Sequence, residues 1–280
     1  MPYQNKVKML LIAPLSEAYS GKNNYGVPPI SVHRMASFLE SHNIDVTVYD
    51  CNIHRDKLDS ILKEHFDIVG ISILNDGLLL SIEMCITLRR IYPKAILVAG
   101  GAEATLNFQE VFDTTDVDVV VTGEGELPLL SLAVGEPIGT IPGIIYRNRA
   151  KIVTNDMLWN FYRNIDFVKM GWREYWDKNA KEVGDNDQNA KEKYVRLVTS
   201  THCNRGCSFC SVTRMHEFAC GRHVPPAYLS GGQIAELLGR IETQLPETTG
   251  VYFVEDSILP TIKRLDDFCL ALRKFQHKFK

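Results

Sequence analysis

Three cysteines, Cys203, Cys207 and Cys210, fall inside the stretch VTSTHCNRGCSFCSV (residues 198–212) of a 280-residue chain that has seven cysteines in all. Thiolates so close in sequence can face a common centre only if the loop carrying them wraps around it. Soft sulfur donors then select zinc, copper(I) or iron-sulfur chemistry. Three readings stand side by side. Plain core packing is one, but buried structural cysteines need no such spacing. Zinc is another; Cys220, His202 or His216 would supply its fourth ligand, although the paired Cys-x-x-Cys knuckles usual for zinc are absent. The third is a 4Fe-4S cluster held by three cysteines, which leaves one iron without a protein ligand and open to a substrate or cofactor. The odd, unevenly spaced cysteines argue against a disulfide framework and for reduced thiols. Cys51, Cys85, Cys220 and Cys269 lie outside the tight group and read as packing residues.

Such a loop needs a rigid scaffold. The chain is 45% hydrophobic and 23% charged with a formal net charge of -3, the composition of a globular protein with a sizeable core and without the basic stripe that nucleic-acid binding calls for. The one apolar run near the N-terminus, Met9 to Pro14, is far shorter than the roughly 20 residues of a membrane span and lacks the layout of a signal peptide, so a cytoplasmic protein away from membranes is expected. Apolar runs at Val7–Ala13, Val46–Asp50, Ile68–Ile73, Ile96–Gly100 and Val117–Thr122 predict strands. Between them PPISVHRMASFLESHN and LLLSIEMCITLRRIYP repeat apolar residues at helical spacing, the first with Ile30, Met35 and Leu39 on one face and the second halted by Pro93. Strands alternating with helices predict an α/β fold, a doubly wound Rossmann-like parallel sheet over residues 1–146, whose ligands sit in the loops beyond the strands' carboxyl ends. Residues 147–193 read as a connecting segment, ordered where it is aromatic and looped at Gly184 to Asn189. Residues 194–280 start the pattern again with a strand at Val195–Thr199, a helix at Gln233–Leu245, a strand at Val251–Val254 and a helix from Ile262 onward.

The pattern Cys-x-x-x-Cys-x-x-Cys, with Phe209 just before the last cysteine and on the loop after a strand, resembles the motif of the radical SAM superfamily. The resemblance implies that Cys203, Cys207 and Cys210 ligate a 4Fe-4S cluster and that the open iron chelates the amino and carboxylate groups of S-adenosylmethionine. It implies one-electron reduction of the sulfonium, cleavage to a 5'-deoxyadenosyl radical and hydrogen abstraction from a substrate. Phe209 would pack beside the adenine. Glu255 and Asp256, at the end of VYFVEDSIL, resemble the acidic pair that many members place near the SAM amino group, where a carboxylate accepts hydrogen bonds from an ammonium. A solvated strand end or a helix cap is the other reading of that pair. GRHVPP, with Arg222, resembles the segment that precedes the first barrel helix.

The glycine-bearing loops SILNDG, VAGGAEAT and VTGEGELPLL follow the third, fourth and fifth predicted strands. Taken singly, each reads as a tight turn. In this order, ahead of the cysteine motif, they resemble the cobalamin-binding domain of one large radical SAM subclass, which includes methyltransferases and oxidative cyclases. The resemblance spans about residues 7–146 and assigns Gly100, Gly101, Gly123, Glu124 and Gly125 to the cofactor. Two departures stand out. The loop after the first strand, APLSEAYSGKNN, has no histidine, and Glu103 stands where relatives often have one, so either a cobalamin here would bind without a protein histidine below the cobalt or the domain has lost the cofactor.

A radical SAM barrel has about six strand-helix units, and each strand-helix-strand unit takes at least ~30 residues, so the stretch from Val195 to Lys280 has room for only the first part of a (β/α) partial barrel. The expectation is a truncated product, a fragment or one part of a split enzyme completed by a complementary chain. A small-molecule substrate and an external electron donor such as a flavodoxin or ferredoxin complete the expected partners. A cluster- or cobalamin-binding chain without turnover, and a structural zinc protein, are the alternatives.

Overall fold

The computed structural model describes residues 6–15, 26–54, 58–147, 165–183, 192–257, 260–273, 275 and 279. The loop expected at Gly184 to Asn189 lies outside them, as does most of the segment after the first strand. The described residues of 1–20, 29–158 and 214–223 form one compact unit, and those of 21–28, 159–213 and 224–280 form the other.

In the first unit β1 (Lys8–Ala13), α1 (Ile30–Ser41), β2 (Asp45–Asp50), α2 (Leu58–Ile61), β3 (Ile68–Ser72), α3 (Leu78–Ile91), β4 (Ile96–Gly100), α4 (Ala102–Leu106), α5 (Phe108–Thr114), β5 (Val119–Val121), α6 (Glu126–Ala133) and β6 (Ile144–Tyr146) follow in chain order. The sheet order is β2-β1-β3-β4-β5-β6. The first five strands are parallel, with Met9 opposite both Val46 and Ile68, Ile68 opposite Ile96 and Val98 opposite Val119; β6 is antiparallel, Val120 opposite Ile145. The result is a mainly parallel, Rossmann-like sheet. Because side chains alternate along a strand, each strand feeds two cores. Leu10, Ile12, Val69, Ile71, Leu97 and Val120 pack with Cys85 and Leu88 of α3 and Val111 and Phe112 of α5. Met9, Leu11, Ile68, Val98 and Val119 face Val32, Ala36 and Leu39 of α1 and Leu129 and Leu132 of α6.

Local chemistry explains the boundaries. In α3 the buried residues Ser81, Cys85 and Leu88 recur at i, i+4 and i+7, and the helix stops before Tyr92, the residue preceding Pro93. In α1 the buried stripe is Val32, Ala36 and Leu39; Ile30 and Met35 are only half-buried, so the helix is rotated from the expected face. The fifth strand is three residues long rather than the six expected, because Val117 and Asp118 precede the pairing with β4.

The second unit holds α7 (Trp172–Val183), β7 (Tyr194–Leu197), α9 (Gly231–Gln244), β8 (Gly250–Phe253) and α10 (Ile262–Leu272); α8 (Ser211–Cys220) follows the cysteines. The segment expected to be a connector thus carries a helix, α7, whose Trp172, Tyr175, Trp176 and Asn179 are buried at helical spacing. β7 and β8 are parallel, Val195 opposite Val251. Val195 and Leu197 are buried, as are Ile234, Leu237, Leu238 and Ile241 of α9 and Phe268 of α10. Ser230 and Gln233 form a capping box that starts α9. A Cβ on Gly231 would stand 2.5 Å from the Asp267 carbonyl oxygen, so this glycine lets α9 meet α10.

Candidate metal and cofactor site

β7 runs straight into the cysteines, and the root of that loop, residues 199–202, is held on several sides. Segment 227–229 pairs with it in antiparallel fashion: the Thr201 N–H donates to the Ala227 carbonyl (3.0 Å), the Ala227 N–H to Thr201 Oγ1 (3.0 Å) and the Leu229 N–H to the Thr199 carbonyl (2.9 Å). From the end of β8, Glu255 accepts from the Thr199 N–H and from Thr199 Oγ1 (2.6 Å) on one carboxylate oxygen and from Ser200 Oγ on the other. Glu255 is therefore engaged by the root of the loop, while Asp256 beside it is exposed. From the first turn of α10, buried Arg264 donates to the Thr199 carbonyl (3.2 Å), to Thr199 Oγ1 (2.5 Å) and to the Leu229 carbonyl.

Beyond this root Cys203, Cys207 and Cys210 are free thiols of intermediate exposure. Among the described residues no three His, Cys, Asp or Glu side chains are gathered as if around a metal, so the loop presents three thiols without a converged set. The donor chemistry nevertheless suits a thiolate site. The Arg205 N–H reaches Cys203 Sγ (3.4 Å). Hydrogen bonds from the Thr213 backbone and hydroxyl, at the start of α8, hold the Cys210 thiol below its ordinary range, against a weaker upward push from partial burial and Asp256. Cys85 shows the opposite case, its pKa pushed up to about 12 by burial in the first unit. One loop cysteine is thus tuned toward the thiolate a metal needs, and a packing cysteine is kept neutral. Phe209 is 89% exposed, an aromatic face with no core around it. Gly206, at φ +61°, supplies the left-handed turn between the first two cysteines.

His202, one of the candidate zinc ligands, has both ring nitrogens occupied: Nδ1 meets Thr201 Oγ1 at 2.8 Å and Nε2 meets the Val224 carbonyl at 3.0 Å. It ties the loop down and leaves no nitrogen for a metal. His216 is buried within α8.

In the first unit the expected cofactor residues do cluster at the carboxyl edge of the sheet, but the chain itself occupies several of their approaches. Gly101 adopts φ +98°, and a Cβ there would fall 2.6 Å from the Ile73 carbonyl; a Cβ on Gly125 would meet Met35 Sδ at 2.5 Å. These glycines admit neighbouring backbone and side chain. Gly100 ends β4 and Gly123 has φ +72°. Glu124 pairs with Arg34 of α1, which also holds Glu126. Burial raises the Glu126 carboxyl against the pull of Arg34. After β4, Asn107 donates to Glu103 (2.5 Å), and Asn75 reaches it at 3.5 Å. The hydroxyl of Thr105, one turn into α4, is buried and lacks a hydrogen-bond partner. That orphaned oxygen and the positive-φ Gly101 and Gly123, which follow β4 and β5, suit a ligand with polar edges at the carboxyl edge of the sheet. Asp50 is fully buried at the end of β2, where it accepts from Asn52, and His33 is buried on α1 with its pKa lowered to about 4, chiefly by burial.

Comparison with known proteins adds to this geometry. Residues 19–133 match the family model of the B12 binding domain. No curated protein matches the chain at the level of sequence. Among solved structures, the cobalamin-dependent S-adenosylmethionine radical enzyme OxsB with aqua-cobalamin bound is 18% identical with a TM-score of 0.74, over 99% of this chain and 38% of that one. The radical S-adenosylmethionine methyltransferase TsrM from Kitasatospora setae, with cobalamin and a 4Fe-4S cluster bound, is 16% identical with a TM-score of 0.68, over 97% of this chain and 53% of that one. The chain spans about half or less of the length of these structures, and the likeness is one of fold. Among the described residues no helix is long and apolar enough to cross a membrane.

Proposed function

We propose that the chain belongs to a cobalamin-dependent radical SAM system, with Cys203, Cys207 and Cys210 as the ligands of a 4Fe-4S cluster and the carboxyl edge of the first unit as the cobalamin site. The observation that carries the reading is the cysteine loop: three thiols on a turn after a parallel strand, two of them accepting N–H bonds at sulfur. The cluster, when bound, supplies the open iron and the single electron that cleave S-adenosylmethionine. The chain's own residues hold and orient. The three thiolates ligate, Phe209 offers its exposed ring to the adenine, and Asp256, rather than the engaged Glu255, is the carboxylate free to accept from the SAM ammonium. Gly100, Gly101, Gly123, Glu124 and Gly125 frame the cobalamin edge, where Thr105 has a hydroxyl to give. Methyl transfer and oxidative cyclisation are the candidate reactions, with a flavodoxin or ferredoxin as electron donor in a cytoplasmic setting.

A second reading, in which the chain holds its cofactors without turnover until a complementary chain joins, is favoured by one observation: among the described residues β8 pairs only with β7, and its Tyr252 is 61% exposed. Anaerobic reconstitution with iron and sulfide tests both. About four irons and four sulfides per chain, a charge-transfer absorption lost in the triple Cys→Ala variant, and 5'-deoxyadenosine released on adding S-adenosylmethionine and a reductant are the results expected of an active chain. Cluster without 5'-deoxyadenosine selects the second reading. One zinc and a colourless protein would overturn both.

A further inference from the structure

Arg264 is a guanidinium 3% exposed, and nothing in the cysteine motif calls for it. Burying a cation is costly unless its donors are matched. Here the two terminal nitrogens are spent on one target, the root of the cysteine loop, while Nε stays buried without a hydrogen-bond partner. The guanidinium bridges the Thr199 and Leu229 carbonyls and the Thr199 hydroxyl, and so fastens β7's end to the segment that pairs with it. Its carbon lies 4.4 Å from the centre of the Phe268 ring and 5.1 Å from that of Tyr228, which fixes its plane from two directions. Glu255 completes the arrangement. It shares Thr199 Oγ1 with Arg264, and of the neighbouring charges it favours the cation most strongly. Two opposite charges from β8 and α10 thus converge on the single residue Thr199, four positions before Cys203. A planar fork can span two carbonyls and a hydroxyl at once; a lysine ammonium, a point charge on a flexible stem, cannot.

We propose that Arg264 is a positioning residue for the cysteine loop: by holding Thr199 and Leu229 in register it sets where Cys203 enters the turn, and so how firmly the three thiols hold iron. The role rests on the proposed cluster. The test uses the full chain in two states. In the apoprotein, hydrogen exchange at the Thr201 and Leu229 amides is compared between wild type, R264K and T199V, with first-unit amides as the internal reference. In reconstituted protein, the rate of iron loss to a chelator is followed optically under anaerobic conditions. Expected are about tenfold faster exchange at those amides and about tenfold faster iron loss in R264K, a smaller change of the same sign in T199V, and unchanged exchange in the first unit. That factor corresponds to about 1.4 kcal/mol of lost restraint. T199V keeps the side-chain volume and the guanidinium, so it reports even if the arginine variant folds poorly. Wild-type exchange and iron loss in both variants would overturn the positioning role alone. Accelerated amide exchange with unchanged iron loss would overturn it too, since the clamp would then serve the fold and not the metal. A wild-type chain that takes up no iron would overturn the proposed function and this role with it.

Discussion

The two units spend their apolar residues differently. In the first, every parallel strand is sandwiched, and Leu97, Val98, Ala99, Val119 and Val120 are all 3% exposed or less. In the second, two strands share one covered face, and Tyr194 and Tyr252 stand 36% and 61% exposed on the other. There Trp172, Tyr175, Trp176, Tyr194, Arg196 and Tyr252 line a cavity of about 370 Å³. The difference teaches where each unit keeps its chemistry. The first places ligand loops on a sheet that is stable by burial, and the second hangs its cysteines from a polar clamp. Hydrogen bonds, with Arg264 and Glu255 meeting at the Thr199 hydroxyl, rather than packed area, define the loop's root.

Four perturbations sharpen that contrast, and the largest should come from the sandwiched sheet. Leu97→Ala leaves a cavity between the sheet and α3, and a loss of about 3 kcal/mol is expected in urea unfolding, whereas Tyr252→Ser should stay within about 0.5 kcal/mol. An equal loss at both sites would erase the distinction. Next comes pH. The native pKa of His33, about 4, lies below its ordinary 6.5, so between these values the unfolded chain takes up a proton that the native chain refuses. Stability is full above pH 6.5 and falls as pH drops toward 4, by up to about 3 kcal/mol, and His33→Gln should flatten that slope. Unfolding of the first unit followed at pH 7 and pH 4.5 decides it. Third, Gly101→Ala must fit a Cβ at φ +98° against the Ile73 carbonyl, and about 2 kcal/mol should be lost from the first unit. The smallest effect should be Gly206→Ala, also at positive φ but with open space around it; about 1 kcal/mol is expected, felt in the loop alone. If Gly206→Ala costs as much as Gly101→Ala, the cysteine turn is packed more tightly than its surroundings allow.

Much of the first unit was legible from residue pattern, because strands buried on both faces read as continuous runs such as KMLLIA and ILVAG. The short antiparallel β6 was not, since three residues, IIY, carry too little periodicity, and its pairing with β5 depends on a turn made elsewhere. α7 was legible in principle: Trp172, Tyr175, Trp176 and Asn179 already stand at i, i+3, i+4 and i+7, but the polar residues between them mask the stripe. α8 was hidden by its β-branched start, SVT, which local propensity reads as extended. For the site, the cysteines are a local motif and announced themselves, as did the strand before them. Glu255 was singled out by position, yet its hydrogen bonds to Thr199 and Ser200 could not be read, and Arg264 left no trace. Contacts that join residues 55 to 65 positions apart follow from the register of β7 on β8, which no short window contains.

That distance also sets a schedule. The ribosome delivers Cys203, Cys207 and Cys210 well before Glu255 and Arg264, so a nascent chain displays its three thiols with nothing to fix the turn that bears them. On the proposed function, iron delivered then would meet a loop root not yet clamped, and iron delivered after α10 has docked would meet a seated one, which would make maturation a late event in the life of the chain.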